Sequence, residues 1–173
     1  SENDCYEIGT NTCPKIDKIN NKIDKLNSHK DDNKITEFNY KKVKTKYFEK
    51  LRNCIDDMHK KSASFLLSKY KKILIGNVST KNMVSNLEGN LKNITKRRLT
   101  ALSHYKFRMK LKSMSGKYGC RIEEISEYMT SKTCCNCGSI KKDLKGEKIY
   151  RCDECELEID RDINASINIY KID

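Results

Sequence analysis

The 173-residue sequence contains no tryptophan and a single proline, so proline-rich linkers are excluded. No apolar run is long enough to span a bilayer as a helix, and no signal-peptide pattern is present. Internal repeats are absent, as is any glycine-rich phosphate loop. The three histidines, His29, His59 and His104, stand in no arrangement that would activate a nucleophile. Acidic residues are missing from Gly89 to Ile122, a stretch that holds ten Lys or Arg.

That one-sided stretch belongs to a strongly basic chain. The formal net charge is +12, with 35% charged and 36% hydrophobic residues, which describes a lean core under a very wet surface. Such a balance suits a polyanionic partner, because each cation that neutralises a phosphate releases counterions. Excess lysine also serves solubility, so charge leaves nucleic-acid binding and a solvated surface both open. Of the nine cysteines, four fall into two C-x-x-C pairs, which fits metal-bound thiolates in a reducing, intracellular setting better than disulfides. The opening "SENDCYEIGTN" reads like the interior of a longer protein.

Helical periodicity is expected over 14–27, through Ile16, Ile19, Ile23 and Leu26. A polar loop (28–34) should follow, then a long helix from Phe38 to Tyr70 with a break near Lys60. "KKILIGNVS" (71–79) has the pattern of a buried strand, and 80–93 reads as a loop. A basic helix is expected over 94–114, with Leu99, Leu102, Tyr105 and Met109 on its apolar face. "CRIEEISEYM" (120–129) reads as a strand that places Glu127 between Ile125 and Met129 on one face. A carboxylate there is costly unless a metal or cation meets it. The strand "ELEID" and a helix over 162–171 close the chain. Strands separated by helices indicate an α/β layer with a ribbon inserted.

Cys134 and Cys137, then Cys152 and Cys155, form the pairs, with fourteen residues between them. Each C-x-x-C lets two thiolates reach one tetrahedral Zn²⁺, and a β-hairpin between the pairs would close the site. Gly138 follows the first pair where a tight knuckle favours a residue without Cβ, whereas Glu156 holds that place in the second. Two pairs at this spacing argue against a redox dithiol. Cys135 reads as a bystander, and Cys5, Cys13, Cys54 and Cys120 as ordinary residues.

Directly after the second pair comes Asp160-Arg161-Asp162, an acidic pair at a helix start. Helix capping accounts for one such carboxylate and not for two. Together, "YMTSKTCCNCGS…YRCDECELEIDRDINASINIYKI", "LSHYKFRMKL" and "DDMHKKSASFLLSKYKKILI" resemble the C-terminal end of TnpB proteins and their eukaryotic and viral Fanzor relatives. The resemblance covers most of the chain from about Lys50 onward. It implies a partial RuvC-like, RNase H-type α/β fold: 1–129 without its first catalytic strand, a zinc ribbon over 130–158, and the closing strand and helix over 159–173.

The resemblance further implies an RNA-guided DNA endonuclease, with guide RNA and target DNA as partners, no membrane, and a nuclear location in a eukaryotic host. Asp162 matches the family's last catalytic acid, with Asp160 a helper or cap. In the family, carboxylates hold Mg²⁺ for phosphodiester hydrolysis. Two departures stand out. Gly76 occupies the place of the family's second acid, and Glu127 matches the displaced glutamate of Fanzor-like proteins, with Glu123 and Glu124 as weaker candidates. The family's first Asp has no counterpart, since Asp4 lies among polar residues. The chain alone is therefore expected to be inactive. Lys96, Arg97, Arg98, Arg108 and Arg161 are the expected phosphate contacts. The alternatives are a non-catalytic nucleic-acid-binding remnant or repressor, and a plain zinc-ribbon interaction protein.

Overall fold

A computed structural model describes residues 5–77, 84, 92–144 and 147–172. Asp4 and almost all of the loop expected at 80–93 lie outside the described residues, as does the end of the strand expected at 71–79. The chain divides into two compact units, one of helices and one of mixed α/β structure. Among the described residues no helix is long and apolar enough to cross a membrane.

The helical unit is built on α1 (Thr12–Asp31) and α2 (Glu37–Lys69). Ile16, Asn20, Ile23 and Leu26 are buried along α1, the three-to-four spacing of a single helical face. α1 runs on to Asp31, so the polar segment taken for a loop is largely its last turn. The Thr36 hydroxyl caps α2 by accepting from the Asn39 amide. α2 is unbroken across Lys60, because the buried side of that region is Ile55, His59, Ser62, Ala63 and Leu67, small or helix-compatible residues that leave the backbone intact. Phe65, although apolar, is exposed on α2.

The basic helix expected over 94–114 is two helices: α3 (Asn93–Leu102) and α4 (His104–Tyr118). Between them Ser103 adopts φ 45°, a left-handed conformation that interrupts the helical ladder. The break re-phases the apolar face. Arg108 and Leu111 are buried on α4, while Tyr105 and Met109 are exposed. α2 packs against α1 and α4, and α1 against α3. His59 is buried and tilted against Phe107, with ring centroids 5.4 Å apart. Burial holds its imidazole pKa below the ordinary value, opposed by a hydrogen bond to the Leu102 backbone.

In the α/β unit, β1 (Lys72–Gly76) pairs parallel with β2 (Arg121–Ile125), in the register Lys72↔Arg121 to Gly76↔Ile125. β2 is shorter than expected: the chain leaves the sheet after Ile125 and turns, with Met129 at φ 62°. β3 (Ile149–Arg151) and β4 (Glu158–Asp160) form an antiparallel pair, and α5 (Arg161–Ile172) follows β4 without a loop. α5 packs against β1, β3 and β4. The cysteine-bearing segment is inserted between β2 and α5, so the architecture is the mixed α/β fold with an inserted four-cysteine element that the sequence led us to expect.

Candidate functional site

The second C-x-x-C pair is framed by β3 and β4, while the first is framed by a single antiparallel bridge, Thr133↔Ile140. Each pair thus sits at the tip of its own hairpin, whereas a hairpin between the pairs had been expected. The reason is local: a C-x-x-C turn reverses the chain, so the residues flanking each pair become neighbours. Both turns end in a left-handed residue, Gly138 at φ 78° and Glu156 at φ 58°. At Glu156 the conformation costs about 1–2 kcal/mol relative to glycine.

This reversal brings all four sulfurs together. The Cys134, Cys137, Cys152 and Cys155 Sγ atoms lie within 4.8 Å of one another, with Cys134–Cys155 and Cys137–Cys152 at 3.6 Å. Thiolates 2.3 Å from one tetrahedral ion would stand about 3.8 Å apart, so the four fit a single Zn²⁺ closely. The Ser139 hydroxyl lies 3.1 Å from both Cys137 and Cys152 Sγ. Hydrogen bonding to it lowers both thiol pKa values, that of Cys152 to about 6, whereas burial pushes Cys134 up to about 12. Tyr150, fully buried, forms the small core beneath the site with Cys134 and Cys152, edged by Leu144, Leu157 and Ile159. Its hydroxyl donates to the Lys132 carbonyl at 3.2 Å. Cys135 is not part of the sulfur cluster.

Sequence reasoning missed the residues that join this element to α5. Asn164, 0% exposed, accepts from the Cys135 amide and donates to the Thr133 carbonyl, both at 2.8 Å. Asn168 donates to the carbonyls of Thr130 (2.8 Å) and Thr133 (2.7 Å), and the Lys171 ammonium donates to the Cys135 carbonyl. The available signal was their spacing: positions 164, 168 and 171 share one helical face, with polar residues where a buried helix would normally carry aliphatics.

The two carboxylates singled out in the sequence sit differently. Asp160 is the cap of α5, its Oδ1 accepting from the amides of Asp162 (2.9 Å) and Ile163 (3.3 Å). Asp162 is left projecting from the first helical turn with its side chain 90% exposed, where the helix dipole favours an anion. Arg161 Nε lies 3.8 Å from its Oδ1.

Glu127, half-buried just beyond β2, folds back over the last residue of β1. A Cβ added at Gly76 would collide with the Glu127 carboxylate, from Cγ through Cδ to Oε1. Gly76 is not among the positive-φ glycines, so its missing side chain provides space and not a special backbone conformation. The Glu127 carboxylate therefore occupies the very volume that a side chain on β1 would fill. Glu123 is engaged elsewhere, ion-paired with Lys72 at 3.2 Å, and Glu124 lies opposite Ile75 in the sheet. Among the described residues the four cysteines alone form a group of three or more metal-ligating side chains that close together, so Glu127 and Asp162 do not by themselves complete a carboxylate triad.

Three of the five expected phosphate contacts have structural duties. Arg97 pairs with Asp24 of α1 at 2.7 and 3.1 Å, and Arg98 with Asp17, whose carboxyl it holds below the usual range. Arg108 is buried, 8% exposed. Helix pairing explains these positions, since α3 crosses the acidic side of α1. Lys96 is half-buried on α3.

The family model described as Cas12f1-like, TNB domain, matches residues 104–169. A TnpB-like protein of Acanthamoeba polyphaga mimivirus is 40% identical over 162 residues, covering 94% of this chain and 30% of the relative. A TnpB-like protein of Methanocaldococcus jannaschii is 31% identical over 137 residues, 75% of this chain and 48% of the relative. The cryo-EM structure of a Cas12f1–sgRNA–target DNA complex shares the fold at a TM-score of 0.54 and 22% identity, over 75% of this chain and 37% of that one. The chain thus spans about a third of the length of the first viral relative it matches. Sequence motif, four-cysteine site and fold agree: the chain belongs to the TnpB-like family.

Proposed function

We propose that this chain is the C-terminal, RuvC-like portion of an RNA-guided DNA endonuclease, in which Glu127 and Asp162 hold the catalytic divalent cation and the four cysteines hold a structural Zn²⁺. The observation that carries the reading is Gly76: its side-chain space is filled by the Glu127 carboxylate. A metal responds to where oxygens land, and a glutamate arriving from beyond β2 delivers its oxygens to the end of β1 as a residue on β1 would. The site lies beyond the C-terminal end of a parallel strand pair, where α/β folds place ligands.

Mg²⁺ bound there would activate water and stabilise the leaving oxygen of a phosphodiester. The chain's own residues perform the remaining work. Asp160 satisfies the first amides of α5 and so frees the neighbouring Asp162 carboxylate for the cation. Arg161 stands beside Asp162, placed to orient a phosphate or to screen the carboxylate before the cation arrives. A third acid is needed, and we assign it to a part of the protein outside this sequence, as we do most of the guide-RNA and target-DNA surface. Within the chain, Lys96 and Arg161 are the phosphate contacts that this reading retains most directly.

The test is Mg²⁺-dependent, guide-directed nicking by the complete protein carrying this segment, with Glu127→Ala and Asp162→Ala as separate variants. Loss of nicking in both, with RNA binding intact, is expected. Full activity in Glu127→Ala overturns the assignment. The competing reading is a nucleic-acid-binding protein without catalysis, favoured by the lack of a third nearby carboxylate among the described residues; guide and target binding with no nicking in the unsubstituted protein would establish it.

A further inference from the structure

Resting on the assignment of Glu127 and Asp162 just made, a second question is what holds these two carboxylates in place. Asp162 is almost wholly exposed, and Glu127 lies outside any strand. Asp162 has no packing of its own to fix it, and Glu127 has only its seat over Gly76. Both, however, are tied to the same short segment, residues 130–135.

From one side, the Thr130 amide and hydroxyl donate to the Glu127 carbonyl, at 3.3 and 2.9 Å. From the other, α5 grips the segment through Asn164, Asn168 and Lys171, whose partners are the Thr130, Thr133 and Cys135 backbone groups. Asn164 lies two residues beyond Asp162, within the first turns of a twelve-residue helix, so fixing Asn164 fixes the backbone that carries the carboxylate. Inside the gripped segment sits Cys134, whose sulfur belongs to the four-cysteine cluster. Binding of a metal to Cys134 therefore immobilises the two residues on either side of it, Thr133 and Cys135, that the asparagines hold. The asparagines are buried polar groups whose partners all come from this one segment, so an opened knuckle would leave them unsatisfied in the interior.

We propose that Asn164, Asn168 and Lys171 are positioning residues that couple metal occupancy of the four-cysteine site to the placement of Asp162 and Glu127, so that the carboxylates are set for a divalent cation only when the cysteines are loaded. The coupling is reciprocal: a cation held by the carboxylates also tightens the cysteine site.

Amide hydrogen exchange on this chain, zinc-loaded and after chelation, tests the proposal in the wild type and in N164A/N168A. Zinc removal should speed exchange across α5 by about tenfold or more in the wild type. The double variant keeps its four cysteines and its zinc, yet its α5 should already exchange rapidly, and chelation should add less than about twofold. Asparagines with a merely structural role would speed exchange by the same factor in both metal states; a zinc effect preserved in the variant overturns the proposal. Should N164A/N168A fail to fold, N168A/K171M, altered at the more accessible end of the helix, must show the same loss of the zinc effect. Mn²⁺ titration, followed by paramagnetic broadening near Asp162 and Glu127, supplies the functional readout: affinity should fall about tenfold on chelation and equally in the zinc-loaded variant. If Mn²⁺ broadens nothing near either carboxylate in the zinc-loaded wild type, the assignment of the catalytic cation fails, while the exchange comparison still decides the coupling.

Discussion

Gly76→Ala adds one methyl group, and its consequences discriminate sharply between a glycine needed for backbone and one needed for space. The added Cβ would fall within the Glu127 carboxylate, so that side chain must leave. Its stability effect should be small. Glu127 is half-buried and flexible, so re-aiming it costs about 0.5–1.5 kcal/mol of rotamer energy. Against this, alanine on a strand at ordinary φ recovers about 0.4–1 kcal/mol of backbone entropy. The two nearly cancel, leaving a net change within about 1 kcal/mol. Divalent-cation binding should respond very differently, falling in Gly76→Ala to the level of Glu127→Ala. The assay is Mn²⁺ titration of the zinc-loaded chain alongside urea unfolding. A second arm transfers the carboxylate: Gly76→Glu combined with Glu127→Ala should recover binding that either substitution alone abolishes. Wild-type Mn²⁺ affinity in Gly76→Ala, with Glu127→Ala impaired, would refute the reasoning, as would a loss of several kcal/mol from the single methyl.

The remaining predictions concern metal, backbone and pH. One zinc per chain should be found by elemental analysis, none in Cys134→Ser and one in Cys135→Ser; because metal binding contributes about 10–16 kcal/mol in small zinc modules, the Cys134 variant should lose the β3–β4 pairing as well. Glu156→Gly relieves a left-handed non-glycine and should raise urea stability by about 1 kcal/mol; an unchanged midpoint would show that the turn carries no strain. His59 is buried with a lowered pKa, so as pH falls the unfolded chain takes up its proton first. Stability is then complete above the ordinary value of 6.5 and declines as pH drops below it, by at most about 1.4 kcal/mol per pH unit from this one group. His59→Gln should flatten that slope between neutral and mildly acidic pH, and a slope retained in the variant would move the effect to another residue.

The sequence alone established what depends on spacing. Four cysteines in two pairs can close on one ion because a C-x-x-C turn is a local structure, and all four sulfurs lie within 4.8 Å of one another. Apolar positions at helical intervals located α1, and Asp160 was recognisable as a cap because its partners lie two and three residues ahead. The motif around the cysteines and Asp162 sufficed to name the family, since it combines residues whose order along the chain is itself the signal.

What the tertiary structure decided involves residues far apart in the chain. In sequence Arg97 and Arg98 show only their charge; their ion partners Asp24 and Asp17 lie more than seventy residues earlier and meet them only when α1 packs on α3. The helix expected over 94–114 breaks at Ser103, because a left-handed residue re-phases the buried face toward Arg108 and Leu111. Asn164 and Asn168 could not be assigned in advance, because their partners are backbone groups 29 or more residues away and any backbone would have looked alike in sequence. Gly76 is the sharpest case: in sequence it is a missing acid, and only the folded chain shows the vacancy filled by Glu127. Periodicity and spacing are properties of neighbours along the chain, and so they survive in one dimension; the occupancy of a volume is settled by whichever side chain arrives there in three.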